Sequence, residues 1–388
     1  MDKEKIDSVL EQFLKEQELE AEREQKRQEE ALRKEKMAKA LNNLKIFFAI
    51  ILILAILILN PYSIRLYKEY KEENRPKEEY SIKYNYSQGM EVLAFGSNIL
   101  IYDSSNLKLL KPSGEEIFNV NLAVDSWTLS VSEKNIYLLD KVTKELYFIS
   151  SKGEFKNIVQ LSNIPVNVIS GKNGSVAVYY KTDVGVEGVV FLDSKGKIIE
   201  DLNYPKVSIT NVSINDQNQL TVNGIYRMEP KLTNNIYYYS SEGRLVYSGE
   251  IEDAIVIDQL NFNDRALLFD VNNLIMVKKS NHEELFRISS SIPYKSVKIH
   301  QGNIYALDKR NKMIIFDSDG NVIDEKYYQS EFDDILWLNN EIVFYNREFV
   351  KTITDQMNFT KPIEKVIQIG DYIAIVMKGE VKLVNKVD

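Results

Sequence analysis

A short strand-like sequence that begins with Asn and ends with Asp recurs along most of this chain. It is written NILIYD (98–103), NIYLLD (135–140) and NIYALD (303–308). Each copy is followed by a polar turn built on Ser and Gly. The whole unit returns about every forty residues from Met90 onward, and self-similarity with this period indicates radial or linear repetition of one supersecondary unit.

Each unit contains four short strand-like segments. The first is apolar and is predicted to be the innermost strand, as in segments 92–94, 129–131, 166–169, 335–338 and 366–369. The third segment leads into the Ser/Gly turn, which suits a tight hairpin because Gly tolerates a positive φ. Four short strands in a unit of this period are typical of a β-propeller blade.

The count of units predicts the size of the ring. Inner strands are predicted to start near residues 90, 127, 166, 207, 255, 297, 335 and 365. Only three strands fit into the last unit before Asp388, and segment 80–88 can supply its missing outer strand, which closes the ring without a free edge. We therefore predict an all-β, eight-bladed β-propeller over residues 80–388, or a seven-bladed one if the weak seventh and eighth units merge.

An apolar run at residues 46–59 precedes the repeats. With its flanks it reaches the roughly 20 residues that a transmembrane helix needs, so we predict a span over residues 44–64 and a linker over 65–79. A cleaved signal peptide fits poorly because a long charged segment precedes the run, and a buried helix fits poorly because both flanks are charged. Basic residues on the N-terminal flank favour an N-terminus inside and the propeller outside. Frequent Lys, Ile and Asn indicate a bacterial protein, so we predict a location in the bacterial cytoplasmic membrane.

The first 43 residues are predicted to form a charged cytoplasmic helix, because Glu, Lys, Arg, Gln and Ala dominate and Pro and Gly are absent. Its apolar residues near the tip share one helical face, and they are Ile6, Val9, Leu10, Phe13 and Leu14. We predict that this face docks to a cytosolic protein. A homotypic coiled coil and a passive solvated arm are the open alternatives.

The residues that carry common chemistry are scarce. The chain has no cysteine and two histidines, and no nucleophile motif accompanies either histidine. Segment 317–321 resembles the start of a calcium loop but lacks the distal Glu. The net charge of −8 argues against nucleic acid as a partner. We therefore predict a protein without catalytic, cofactor-binding or metal-binding residues, and not an enzyme.

Two neighbouring units carry a longer connection between their second and third strands, at segments 181–188 and 227–235. In a propeller such connections lie on one face, so these are predicted to form a raised rim that binds a partner. The candidate contacts are Lys181, Asp183, Glu187, Arg227, Met228 and Lys231. The alternative is drift in surface loops that tolerate insertions.

The repeats resemble the β-propeller superfamily of WD-repeat and quinoprotein-like proteins over residues 80–388, although no Trp-Asp or Gly-His signature recurs. The order of arm, span and repeats also resembles an uncharacterised family of Gram-positive bacterial membrane proteins with a propeller-like ectodomain. The resemblance implies this architecture and location.

Together these features predict a membrane-anchored, non-catalytic binding or scaffold protein. It would contact the lipid bilayer through residues 44–64, a cytosolic protein through its N-terminal helix, and an envelope protein or glycan through the propeller face. The alternatives are an extracytoplasmic glycan-acting enzyme, which needs converging carboxylates at the channel mouth, and a structural assembly factor for other membrane proteins.

Overall fold

The computed structural model describes residues 79–385, apart from 88, 227–232, 263 and 339, together with eight helical residues between Arg33 and Phe48. The chain divides into two units, residues 1–76 and 77–388. The tip of the predicted arm and nearly all of the predicted span lie outside the described residues. Among the residues that are described, no helix combines the length and the apolar composition that a membrane crossing requires.

The repeats form strands in the second unit, beginning with β1 (Glu79–Lys83). Blade 1 consists of β2 (Glu91–Phe95), β3 (Asn98–Tyr102), β4 (Asn106–Leu110) and β5 (Glu116–Asn121). Blade 2 consists of β6 (Trp127–Val131), β7 (Asn135–Asp140), β8 (Glu145–Ser150) and β9 (Phe155–Gln160). Blade 3 consists of β10 (Ile164–Ser170), β11 (Val176–Lys181), β12 (Glu187–Leu192) and β13 (Ile198–Tyr204). Blade 4 consists of β14 (Val207–Ile214), β15 (Leu220–Tyr226), β16 (Thr233–Tyr239) and β17 (Leu245–Glu252).

The second half of the ring continues the same order. Blade 5 consists of β18 (Asp258–Phe262), β19 (Arg265–Phe269), β20 (Asn273–Lys278) and β21 (Glu284–Ser289). Blade 6 consists of β22 (Tyr294–His300), β23 (Asn303–Asp308), β24 (Lys312–Phe316) and β25 (Val322–Tyr327). Blade 7 consists of β26 (Asp334–Leu338), β27 (Glu341–Tyr345), β28 (Phe349–Lys351) and β29 (Gln356–Asn358). Blade 8 begins with β30 (Ile363–Ile369), β31 (Tyr372–Met377) and β32 (Glu380–Val384).

Blade 8 is completed by β1, which pairs antiparallel with β32 from Glu79 opposite Val384 to Lys83 opposite Glu380. Each of the eight sheets in the described residues therefore has four strands. The eight blades and the closing strand from the N-terminal side confirm the predicted ring. The closing strand ends at Lys83, so it is shorter than the predicted segment 80–88.

Antiparallel order gives the ring two distinct faces. The turns between first and second strands and between third and fourth strands lie on one face, which we call the lower face. The turns between second and third strands and the connections between blades lie on the opposite, upper face. Buried apolar side chains pack between adjacent blades, as where Leu100 and Tyr102 of β3 meet Ile136 and Leu138 of β7.

The recurrent Gly turn has a packing role between blades as well as a conformational one. Gly153 and Gly320 have φ of 80° and 85°, which side chains rarely tolerate. A methyl group at Gly153 would lie 2.9 Å from the Phe118 ring of the preceding blade, and one at Gly320 would lie 2.9 Å from Phe286. The absent side chain lets the turn approach the preceding outer strand.

Blade 5 inverts this arrangement. His282, with φ of 57°, occupies its turn, and Gly249 stands opposite on β17 of blade 4. The His282 ring stacks on Tyr247 with 5.8 Å between ring centroids. Burial lowers the pKa of His282, with the Glu284 charge acting in the opposite direction, so the buried site favours the neutral ring. Blade 5 therefore has the large residue in the turn and the glycine on the facing outer strand, which is the reverse of the arrangement at Gly153 and Gly320.

Candidate interaction surface

The predicted rim at blade 3 is a tight hairpin. Lys181 and Glu187 are paired strand residues, so the predicted loop 181–188 is shorter in the structure. Only residues 182–186 form the turn, where the Thr182 N–H donates to the Val186 carbonyl at 2.8 Å. Lys181 and Asp183 are exposed. Because Lys181 continues the strand pairing, the backbone at this tip is held by hydrogen bonds on both sides.

Glu187 lies in the interface between blades 3 and 4 and is 5% exposed. Its carboxylate accepts hydrogen bonds from the Tyr179 hydroxyl at 2.8 Å and from the Ile209 N–H of blade 4 at 2.7 Å. Lys181 Nζ lies 3.4 Å from the other oxygen. Burial acts to raise the pKa of Glu187, but the hydrogen bonds from Tyr179 and Ile209 and the Lys181 charge outweigh it and hold this pKa below its usual value.

Glu187→Gln is therefore expected to lower the free energy of unfolding by about 2 kcal/mol at pH 7. This is the usual contribution of hydrogen bonds to a charged group. Because the folded-state pKa is depressed, this contribution is present above the unfolded value of 4.5 and disappears as pH falls through the folded value. Urea unfolding at pH 7 and pH 3 measures it, with exposed Asp183→Asn as the control. An equal difference between Glu187→Gln and wild type at both pH values would contradict the assignment.

The remaining predicted contacts are not placed. In blade 4, β15 ends at Tyr226 and β16 begins at Thr233, so Arg227, Met228 and Lys231 lie outside the described residues. The arm residues Ile6, Val9, Leu10, Phe13 and Leu14 lie outside them as well. Their roles in partner binding stay predictions.

A groove lies on the upper face between blades 4 and 5, and exposed aliphatic side chains contribute to its lining. It encloses about 730 Å³ and is lined by Asp253, Ala254, Ile255, Ile257, Asp270, Val271, Asn272 and Asn273. Ile255, Ile257 and Val271 are 39%, 47% and 46% exposed. Clustered exposed aliphatic side chains mark surfaces that bind a partner more often than isolated ones do. We call this opening the blade 4–5 groove.

The wall of the blade 4–5 groove is fixed by hydrogen bonds. The Val256 N–H donates to Asn234 Oδ1 at 3.1 Å, and the Val256 carbonyl accepts from the Thr210 hydroxyl at 2.9 Å. The Ile257 N–H donates to the Phe269 carbonyl at 3.0 Å. Since Val256 is buried and its two neighbours are exposed, this anchoring presents Ile255 and Ile257 in a preformed arrangement.

The groove has an acidic rim. Asp253 and Asp270 line it, and no basic side chain is among its described lining residues. The Asp270 carboxylate accepts from the Asn272 and Asn273 N–H groups of its own turn. Arg287, a nearby cation, contacts Glu284 at 2.8 Å, and its charge also acts on Asp253 and Asp270. An apolar floor with carboxylates at its edge favours a ligand that carries both apolar and basic groups.

Carboxylates at the upper ends of the inner strands are tied to neighbouring blades. Glu91 pairs with Lys365 at 2.7 Å, across blades 1 and 8. Asp334 of blade 7 accepts from the Ser296 hydroxyl of blade 6 and lies 3.4 Å from Lys298 Nζ. These groups join blades at the channel mouth.

The two histidines lie in different blades and pack on aromatic rings. His300 ends β22 and stacks on Trp337 of blade 7 with 4.5 Å between ring centroids. Within the described residues, no group of three or more His, Asp or Glu side chains could hold a metal ion. In the segment that resembles a calcium loop, the Asp317 carboxylate accepts from the Asp319 and Asn321 N–H groups of its own turn.

A cavity of about 530 Å³, lined mainly by residues that carry a polar group, lies on the lower face between the same two blades, 4 and 5. Lys279 and Asp264 line it beside the buried Tyr238, whose hydroxyl has no hydrogen-bond partner among the described residues. Burial lowers the pKa of Lys279, while the charges of Asp264 and Asp216 act in the opposite direction. No motif in the sequence marks these residues.

Comparison with known proteins gives a family and a fold. The sequence profile described as "Family of unknown function (DUF5711)" matches residues 64–385. No curated protein matches the chain in sequence.

Solved structures resemble this ring. BamB from Moraxella catarrhalis aligns with a TM-score of 0.54 at 10% identity, covering 78% of this chain and 98% of its own. Saccharomyces cerevisiae Sqt1 gives 0.58 at 10% identity, with 80% and 98% covered. The C-terminal WD40 domain of Sif2 gives 0.50 at 10% identity, with 80% and 85% covered. At these identities the likeness shows the fold, which confirms the predicted resemblance to β-propellers.

Proposed function

The chain belongs to the family of unknown function DUF5711, so its role has to be inferred from its own surface. We propose that it is a non-catalytic binding module. The propeller supplies a rigid surface that binds a segment of another protein. Residues 44–64 anchor the module in the bacterial cytoplasmic membrane, with the N-terminus inside and the propeller outside. The apolar face of the arm, including Leu10 and Phe13, docks to a cytosolic protein.

The blade 4–5 groove carries the proposal. Its three exposed aliphatic side chains form an apolar floor, and Asp253 and Asp270 add negative charge at its edge. Its volume lies within the usual range of ligand pockets. We expect the partner to insert an apolar side chain between Ile255 and Val271 and to place a Lys or Arg near the carboxylates.

Substitution of the groove floor tests this role. A peptide library displayed on phage is selected against the purified full chain and against Ile255→Asp/Ile257→Asp. We expect wild type to enrich peptides that combine an aliphatic or aromatic residue with Lys or Arg. Selected peptides should bind the variant at least about tenfold more weakly, a loss of 1.4 kcal/mol.

The control is Val322→Asp/Ile323→Asp, which also adds two aspartates, at aliphatic residues that are 57% and 55% exposed on the outer strand of blade 6. It should bind the peptides as wild type does. Equal binding by the groove variant and wild type, with unchanged thermal unfolding, would reject the groove as the binding site.

The glycan-acting alternative lacks an equivalent supporting observation. Glu91 and Asp334 lie at the upper starts of inner strands, and each contacts a lysine of a neighbouring blade, so both carboxylates join blades.

A further inference from the structure

A basic cleft opens on the lower face between blades 2 and 3. It encloses about 400 Å³ and is lined by Lys134, Asn135, Phe148, Lys156, Asn157, Asn173, Gly174, Ser194 and Lys195. Three lysines contribute to this lining, and no carboxylate is among its described residues. This charge is notable in a chain with a net charge of −8.

The floor of the cleft is built from buried polar groups. Asn135 is 6% exposed, and its Nδ2 donates to the Tyr137 hydroxyl at 3.3 Å. That hydroxyl donates to the Gly174 carbonyl of blade 3 at 2.9 Å. A methyl group at Gly174 would lie 3.1 Å from Ser194 Cβ, so the absence of a side chain there keeps this part of the cleft open.

The lysines are available to a ligand. Lys156 Nζ donates to Asn135 Oδ1 at 2.8 Å, which positions its ammonium group and leaves its other protons free for an acceptor. In the part of the chain that the structure describes, the ammonium groups of Lys134 and Lys195 make no hydrogen bond or ion pair. Ser194 adds a hydroxyl donor at the same wall.

Carboxylates near the cleft are engaged elsewhere. Glu133 pairs with Lys172, with 3.6 Å between Nζ and Oε1. Asp193 accepts from the N–H groups of Lys195 and Lys197 at 2.8 and 2.9 Å within its own turn. The cleft therefore keeps a positive potential. Glu133 and Asp193 reduce this potential, but among the described residues they form no salt bridge with the three lysines of the cleft.

We propose that this cleft binds a phosphate-bearing anion. Lys134, Lys156 and Lys195 surround the charged oxygens, and Ser194 donates a further hydrogen bond, which is the donor set that phosphate groups prefer. Either a free phosphate ester or the headgroup of an anionic phospholipid presents this chemistry. The site is separate from the blade 4–5 groove and lies on the opposite face.

Calorimetric titration of the full chain with inorganic phosphate and with glycerol 3-phosphate tests the site, and sedimentation with phosphatidylglycerol vesicles tests the lipid source. Phosphatidylcholine vesicles serve as the reference. The variant is Lys134→Gln/Lys195→Gln, and the matched control is Lys206→Gln/Lys309→Gln, which removes the same charge from exposed residues on the upper face. Thermal unfolding checks that each variant folds.

We expect the cleft variant to bind at least about tenfold more weakly and the control to match wild type. Loss with the soluble phosphates alone assigns the site to a free ester, whereas loss of vesicle binding assigns it to a headgroup. Equal weakening in both variants would show a general charge effect and overturn the proposal. Wild-type affinity in the cleft variant, or no phosphate binding by wild type in either assay, would overturn it too.

Discussion

Ile82→Asp is expected to lower the free energy of unfolding by about 4 kcal/mol, because it buries an unpaired carboxylate in the strand that closes the ring. Ile82 packs against Val381 and Leu383 of β32 and against Val92 and Ile99 of blade 1. Loss of β1 would also expose the unpaired edge of β32 and remove the link between the two ends of the ring. We therefore expect a lower and broader unfolding transition.

Urea unfolding of the full chain, followed by circular dichroism, measures this effect. Ile323→Asp is the control, because it makes the same change at an exposed position of another outer strand and should alter stability by less than about 0.5 kcal/mol. Ser81→Cys/Lys382→Cys tests the register independently, because these residues are directly opposed and the chain has no other cysteine. Failure of this pair to form a disulfide, with equal stability of Ile82→Asp and Ile323→Asp, would contradict closure by β1.

Gly249→Val is expected to lower the free energy of unfolding by about 2 to 3 kcal/mol through overpacking. A methyl group at Gly249 would lie 2.6 Å from the His282 ring. In blades 1 and 2 the equivalent outer-strand residues are Val120 and Val159, and each faces a turn glycine. The stability loss should therefore depend on what occupies the facing turn.

A double-mutant cycle distinguishes the contact between positions 249 and 282 from a general effect of the Gly249→Val substitution. Gly249→Val/His282→Gly restores the arrangement of the other blades, so it should recover about 2 kcal/mol relative to Gly249→Val alone. Since burial depresses the pKa of His282, its folded state resists protonation, and wild type should lose stability as pH falls below the unfolded value of 6.5. His282→Gly should lack this loss. Additive effects of the two substitutions would contradict this reversed arrangement.

The strands and the closure of the ring follow from local patterns in the sequence. Apolar alternation and Ser/Gly turns are local signals, so the unit boundaries and the role of β1 could be predicted. The β-bulges of the outer strands could not be predicted. Their extra residues, such as Ile117 and Ile323, continue the strand pattern, and they differ from their neighbours only in having no partner on the adjacent strand.

The candidate site was harder to predict than the fold. Glu187 looked like a surface acid, and its burial depends on Ile209 of another blade. Ile255 and Ile257 read as the start of an inner strand, but they precede β18 and stay exposed. Exposure of this kind arises where two blades meet, and a single sequence carries no signal for it.

Photo-crosslinking in cells tests the binding role of the blade 4–5 groove most directly. The photoreactive amino acid p-benzoyl-L-phenylalanine is placed at position 257 in the full chain, and at position 323 as the control. We predict a discrete crosslinked partner from position 257 that disappears when Val271→Asp is added, and no such product from position 323. The same products from both positions, or none from position 257 in a folded protein, would contradict a partner-binding role for this groove.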